Sequence, residues 1–161
     1  LFTRGMAALT QHNSDDSFTI PRGEPLITAS SSRHKSLSLL SWNILADCYF
    51  RDGKGDYSFI APDSPMWDWS SRCALLLEEL RATSPDVITL QECMFVHFEE
   101  DFQPELEAAG YDGLMQKSKK RGNKKHPQGV ATFWKRSKLT LVAECHRSRS
   151  TVAVLEDLHA R

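Results

Sequence analysis

"DVITLQE", residues 86–92, decides how the chain is read. Val87, Ile88 and Thr89 are β-branched and suit a core strand. The strand closes on Glu92, at its carboxyl end, the edge where ligands commonly bind in α/β folds. A carboxylate there is costly unless it is paired or bound to a metal. Position alone leaves two readings open. Glu92 is a surface glutamate at a strand end, or it is a hard oxygen ligand for Mg2+, which takes one or two protein carboxylates together with substrate phosphate.

Upstream, "LLSWNILADC" at 39–48 repeats the geometry. It is short and apolar, as expected of a strand buried on both faces, and it closes on Asn43. A buried amide without partners costs about 1–3 kcal/mol. Asn43 therefore forms a turn, or it is aimed at a ligand, where an amide oxygen orients a metal-bound water or a phosphate without adding charge. If the two strands are neighbours, amide and carboxylate converge on one end of the sheet.

The segments between and after these strands set the fold class. Cys73, Leu76, Leu77 and Leu80 fall on one helical stripe. Asp68 or Ser70 is placed to cap its start, and "SPD" at 84–86 ends it, because a residue before proline avoids the α region. Phe98, Phe102 and Leu106 mark a second helical face, which Pro104 breaks or restarts, with Gly110 as its C-terminal cap. "YDGLMQ", "GVATFWK", "KLTLVAEC" and "TVAVLE" then read as strands, and 51–66 reads as a loop. Strand, helix, strand, helix and several strands make an α/β layered fold with a mixed sheet. Residues 1–36, rich in Ser, Thr and charge, are expected to be a disordered or loosely docked leader. The domain runs over 37–161.

The chain has 161 residues, 40% hydrophobic and 25% charged, with a net charge of −1. That is enough for one core and gives no global field to recruit nucleic acid or membrane. No apolar run reaches the roughly 20 residues that span a bilayer. Cys48, Cys73, Cys93 and Cys145 contain no Cys-x-x-Cys pair and read as small buried hydrophobes in a reducing compartment, with a disulfide left open. Local charge is uneven. The stretch containing Lys117, Lys119, Lys120, Arg121, Lys124 and Lys125 is either a solvated turn or a patch that tracks nucleic-acid phosphates, with Gly122 and Asn123 as a hairpin tip. Trp42, Trp67, Trp69 and Trp134 read as core or staple residues rather than base-stacking platforms, and His126 and His146 as structural or surface residues. Nucleotide-cradling glycine loops and the serine-hydrolase Gly-x-Ser-x-Gly are absent.

Taken together and in order, "LLSWNILAD", "DVITLQE" and "GVATFWKRSKLTLV" resemble the endonuclease/exonuclease/phosphatase family. Within it they resemble the branch of carbon-catabolite-repression-type deadenylases, nocturnin, angel proteins and the 2′,5′-phosphodiesterase. The resemblance covers about residues 37–156. It implies a four-layer α/β sandwich, two sheets face to face with helices outside, of which this chain carries about the first half. It also implies Mg2+-dependent phosphodiester cleavage, with Mn2+ as an alternative ion. Glu92 matches the family's metal-binding glutamate and Asn43 the asparagine beside metal and phosphate. The implied partner is RNA, foremost a 3′ poly(A) tail, with 2′,5′-oligoadenylate as the alternative and no membrane. The cytoplasm is the first expected location, ahead of mitochondrion and nucleus. The family's downstream Asn-x-His-Leu, Gly-Asp-x-Asn and Ser-Asp-His motifs do not occur in these residues. The chain alone is therefore expected to be inert, or to be a product that binds RNA or a partner. Half a sandwich is also expected to leave an apolar sheet face uncovered.

Overall fold

The computed structural model describes residues 36–51, 57–117 and 127–159. Apart from Ser36, the leader expected over 1–36 lies outside these residues. Strand β1 (Leu39–Asn43) pairs in parallel with β2 (Val87–Met94), from Leu39 opposite Val87 to Asn43 opposite Gln91. A parallel pair needs a crossover. Here it passes through α1 (Asp47–Arg51), a 3-10 turn (Pro65–Trp67) and α2 (Trp69–Thr83). The 3-10 turn begins at the end of the expected loop, and the Ser64 hydroxyl accepts from the Met66 N–H at its start.

Helix α2 follows its sequence pattern. Asp68 is the cap, accepting from the Ser71 N–H at 3.0 Å, while Ser70 lies in the first turn and donates to the same carboxylate. Cys73, Leu76, Leu77 and Leu80 are buried. At the other end Ser84 takes a left-handed conformation, φ 41°, and its N–H closes onto the Leu80 carbonyl at 2.9 Å before Pro85 stops the helix.

After β2 the second helical segment comes in three pieces, α3 (Phe95–His97), a π-helical turn (Phe98–Phe102) and α4 (Gln103–Ala108). Pro104 restarts the helix rather than breaking it, because it occupies the first turn of α4, where its missing N–H costs nothing. Phe98, Phe102 and Leu106 are buried as their spacing predicts.

Strands β3 (Tyr111–Met115) and β4 (Gln128–Lys135) complete a sheet of order β1-β2-β4-β3. One face of it, with Ile88, Leu90, Ala131 and Phe133, packs with the helical residues in one core, and Phe98 stacks on Phe133 at 5.3 Å. The opposite face presents Leu114 and Trp134 to the antiparallel pair β5 (Leu139–His146) and β6 (Thr151–Asp157), which contributes Leu139, Leu141, Ala153 and Leu155. Helices, sheet and second sheet are thus stacked in layers. This is the partial sandwich that the resemblance implies.

Two expectations are corrected. Strand β1 is not buried on both faces: Leu39 is 67% exposed and Ser41 and Asn43 are exposed, while Leu40 and Trp42 pack on the core. It forms the sheet edge, and the β5–β6 pair packs against the β3–β4 side. Of the four cysteines, only Cys73 and Cys93 are buried, and Cys145 is exposed. Burial pushes the Cys73 thiol up to about 11 and that of Cys93 up to about 12, so both are protonated apolar fillers.

The starts of β1 and β2 are tied together by Asp86. Its carboxylate accepts from the Ser38 N–H at 3.0 Å and pairs with Lys138 at 2.7 Å and Lys135 at 3.5 Å. Tyr111 pins the same corner, donating its hydroxyl to the Pro85 carbonyl at 2.6 Å.

Candidate functional site

Strand β2 buries Ile88 and Leu90 on alternate positions, and strict alternation would point Glu92 into the same core. It does not, because the ladder slips. Leu90 pairs with Ala131 and Cys93 with Gly129, so that Gln91 and Glu92 together oppose Val130. Such a bulge re-aims a side chain. Glu92 absorbs the extra residue with φ 57°, in the left-handed region. The next core position passes to Cys93, which is fully buried, and Glu92 turns out to the sheet end, half-buried.

Asn43 meets it there from the neighbouring strand. Its Nδ2 donates to Glu92 Oε1 at 2.9 Å, and its Oδ1 accepts from the Leu45 N–H at 3.0 Å. The carboxylate fixes the amide's orientation, since two oxygens would repel. The second carboxylate oxygen, Oε2, accepts from the Ala46 N–H at 3.2 Å. Both sequence-predicted residues are therefore in direct contact. The chain between them turns sharply, with Leu45 at φ 56°.

A carboxylate offers about four lone-pair sites, and these bonds use one on each oxygen. The donor set left over, one half-buried carboxylate and the second lone pair of Asn43 Oδ1, suits a hard cation that keeps water and phosphate ligands. Among the described residues, no group of three or more His, Cys, Asp or Glu side chains could hold a metal by itself.

Behind the turn lies a charge the sequence reading missed. Arg72 on α2 is 4% exposed. Its Nη1 donates to the Leu45 carbonyl at 3.0 Å, its Nη2 lies 3.5 Å from Asp47 Oδ1, and its guanidinium sits 5.2 Å from the Trp69 ring centre. Burial works against its charge, and Asp47 is foremost among the groups that support it. Trp69 stacks on His97 at 3.8 Å, and both donate toward Asp101 Oδ2, at 2.8 and 2.9 Å. A signal was available: Arg72 stands three residues after Trp69 and four before Leu76, inside the apolar stripe, where a cation needs a buried partner.

Residues Lys119, Lys120, Arg121, Lys124 and Lys125, with the Gly122–Asn123 tip and His126, lie outside the described residues. The roots of their loop do not. It leaves β3 after Met115 and enters β4 at Gln128, which pairs with Met94 two residues past Glu92. The Gln128 amide donates to the Tyr49 hydroxyl at 2.5 Å, and Phe95 N–H donates to Pro127 O at 3.0 Å. The end of β3 and the start of β4 thus lie at the same sheet end as Asn43 and Glu92. Lys117, at the start of the basic stretch, is ion-paired with Glu144. His146 accepts the Lys117 N–H on Nδ1 at 3.1 Å, a structural role.

The profile of the Endonuclease/Exonuclease/phosphatase family matches residues 40–155, a span holding both strands of the site. The chain belongs to that family. Among its relatives, carbon catabolite repressor protein 4 homolog 1 of Arabidopsis thaliana is 36% identical over 112 residues, 66% of this chain and 18% of that protein. The CCR4-Not complex 3'-5'-exoribonuclease subunit Ccr4 of Schizosaccharomyces pombe is 28% identical over 120 residues, 70% of this chain and 16% of that protein. Nocturnin and angel proteins are also among the relatives. In structure the chain is similar to ANGEL2, described as a 2',3'-cyclic phosphatase, with a TM-score of 0.64 at 25% identity, over 75% of this chain and 37% of that one. The chain spans less than a fifth of the length of these sequence relatives. Its family membership and its partial layered fold agree with the resemblance read from the sequence.

Proposed function

We propose that Asn43 and Glu92 form part of a Mg2+-dependent phosphodiesterase centre acting at RNA 3′ ends, with a poly(A) tail as the substrate. The observation that carries this reading is the convergence of the Glu92 carboxylate and the Asn43 amide at one sheet end. The family membership and the exoribonuclease named among the relatives support it. Glu92 would hold the ion, with Mn2+ able to replace Mg2+, and Asn43 would fix the carboxylate while offering Oδ1 to the ion's water or to phosphate. When bound, the ion polarises the scissile phosphate and stabilises charge on the leaving oxygen. The basic loop from Lys119 to Lys125 would track the RNA backbone into that end of the sheet.

Among the described residues, the Asn43–Glu92 contact includes no further group to take a proton from the attacking water. We therefore expect the 161-residue chain to bind metal and RNA without turnover. The test is Mn2+ titration of the chain, followed by line broadening of backbone amides, and oligo(A) binding at rising salt. Broadening centred on Glu92, abolished by Glu92→Gln, together with salt-sensitive oligo(A) binding that Glu92→Gln leaves largely intact, is the expected result. RNA binding with no metal at Glu92 would instead favour a non-catalytic RNA-binding role. Tighter binding of 2′,5′-oligoadenylate than of 3′,5′-linked oligo(A) would replace the poly(A) assignment.

A further inference from the structure

A buried cation grips the turn that holds Glu92. The Ala46 N–H reaches Glu92 Oε2 only because the peptide before it is set at an unusual angle, with Leu45 left-handed. Leu45 is fixed at both of its backbone polar groups, its N–H by Asn43 Oδ1 and its carbonyl by Arg72 Nη1, each at 3.0 Å. Arg72 is in turn held in place by Asp47, on the same turn, and by the face of Trp69. Removing a guanidinium from water is costly. A leucine or methionine would continue the apolar stripe of α2 without that cost, so packing gives no reason for an arginine here.

We propose that Arg72 is a positioning residue of the site: through the Leu45 carbonyl it sets the direction of the Ala46 N–H, and so the orientation of the Glu92 carboxylate. The inference rests on Glu92 being the functional carboxylate proposed above. A guanidinium suits the task because its planar fork serves the carbonyl and the Asp47 carboxylate at once, which a lysine ammonium on a flexible stem does not.

The test uses the full chain with Arg72→Lys, which keeps the charge and loses the fork. Amide hydrogen exchange at Leu45 and Ala46 is expected to rise about tenfold or more, as the loss of a charge-assisted bond implies. The amides of Ile88 and Phe133 in the sheet should stay as protected as before. Mn2+ affinity at Glu92 should fall about tenfold, the usual effect of losing a partner that orients a metal ligand. A folded Arg72→Lys chain with unchanged Ala46 exchange and unchanged Mn2+ affinity overturns the proposal. Should that variant fail to fold, Arg72→Met combined with Asp47→Asn leaves no buried charge unpaired and carries the same readouts. If the unsubstituted chain binds no Mn2+ near Glu92, the functional reading falls, and Ala46 exchange, measured without metal, still decides whether Arg72 sets the turn.

Discussion

Glu92 holds a backbone conformation that non-glycine residues avoid, at a cost of about 1–2 kcal/mol, and Leu45 does the same on the facing turn. Strain of this kind persists where neighbouring contacts over-determine it, and here hydrogen bonds from Asn43 and Ala46 do so. Asp86, at the other end of the same strand, is a purely structural counterpart. Burial alone would raise its carboxyl, but the Lys138 ammonium and the N–H and hydroxyl groups around Ser38 outweigh it and hold it at about 2, against an ordinary 3.8. The folded chain therefore binds fewer protons than the unfolded one between these values. The stability this confers is complete above about pH 4 and is lost as the pH falls toward 2. Integrated, it amounts to about 2 kcal/mol. Denaturant melts between pH 5 and pH 2 should show that loss, and Asp86→Asn should flatten it. An unaltered acid limb in the variant would place the titration elsewhere.

At the scale of elements, what could be read in advance divides by the range of the forces involved. The stripe of Cys73, Leu76, Leu77 and Leu80, the Asp68 cap and the stop at Ser84-Pro85 were legible because each is a local preference written in neighbouring residues. The convergence of Asn43 and Glu92 was legible as a possibility, from two strands ending alike. The bulge at Gln91–Glu92 was not, since neither residue is a glycine that would betray a left-handed backbone. The π-helical turn at 98–102 also escaped, because the spacing of Phe98, Phe102 and Leu106 is that of an ordinary helix. The burial of Arg72 needs the fold around α2 before it can be seen. One close approach makes an element-scale prediction. A Cβ on Gly113 of β3 would lie 2.6 Å from the Phe133 ring, which is buried and stacked on Phe98. Gly113→Ala should cost about 1–3 kcal/mol, the usual effect of overpacking, measured as a lower denaturation midpoint. An unchanged midpoint would mean that the aromatic pair shifts freely.

On the scale of the whole molecule, the described residues leave apolar surface on the outer side of the β5–β6 pair. Val152 and Val154 are 54% and 50% exposed, opposite Cys145 and Ala143, with Val142 beside them at the irregularity in β5. Leu39 adds a further exposed side chain on the edge strand. Contiguous patches of this kind bind hydrophobic dyes and favour association. The chain is expected to bind such a dye under native conditions, with a broad thermal transition. A sharp, cooperative melt with no dye fluorescence would show that this surface is satisfied in solution.

The parallel pairing of β1 with β2 also fixes when the site can come into being. Asn43 and Glu92 are 49 residues apart along the chain, and the whole crossover lies between them. Local contacts in α2 or the β5–β6 hairpin form without closing that loop, whereas the Asn43–Glu92 bond cannot, and non-local parallel pairing is intrinsically slow. In a refolding chain the Ala46 and Asn43 hydrogen bonds should therefore be among the last to gain protection. The site is a timer for completion of the fold: a chain that has made its helices and hairpin but not its crossover has all the residues of the site and none of its geometry.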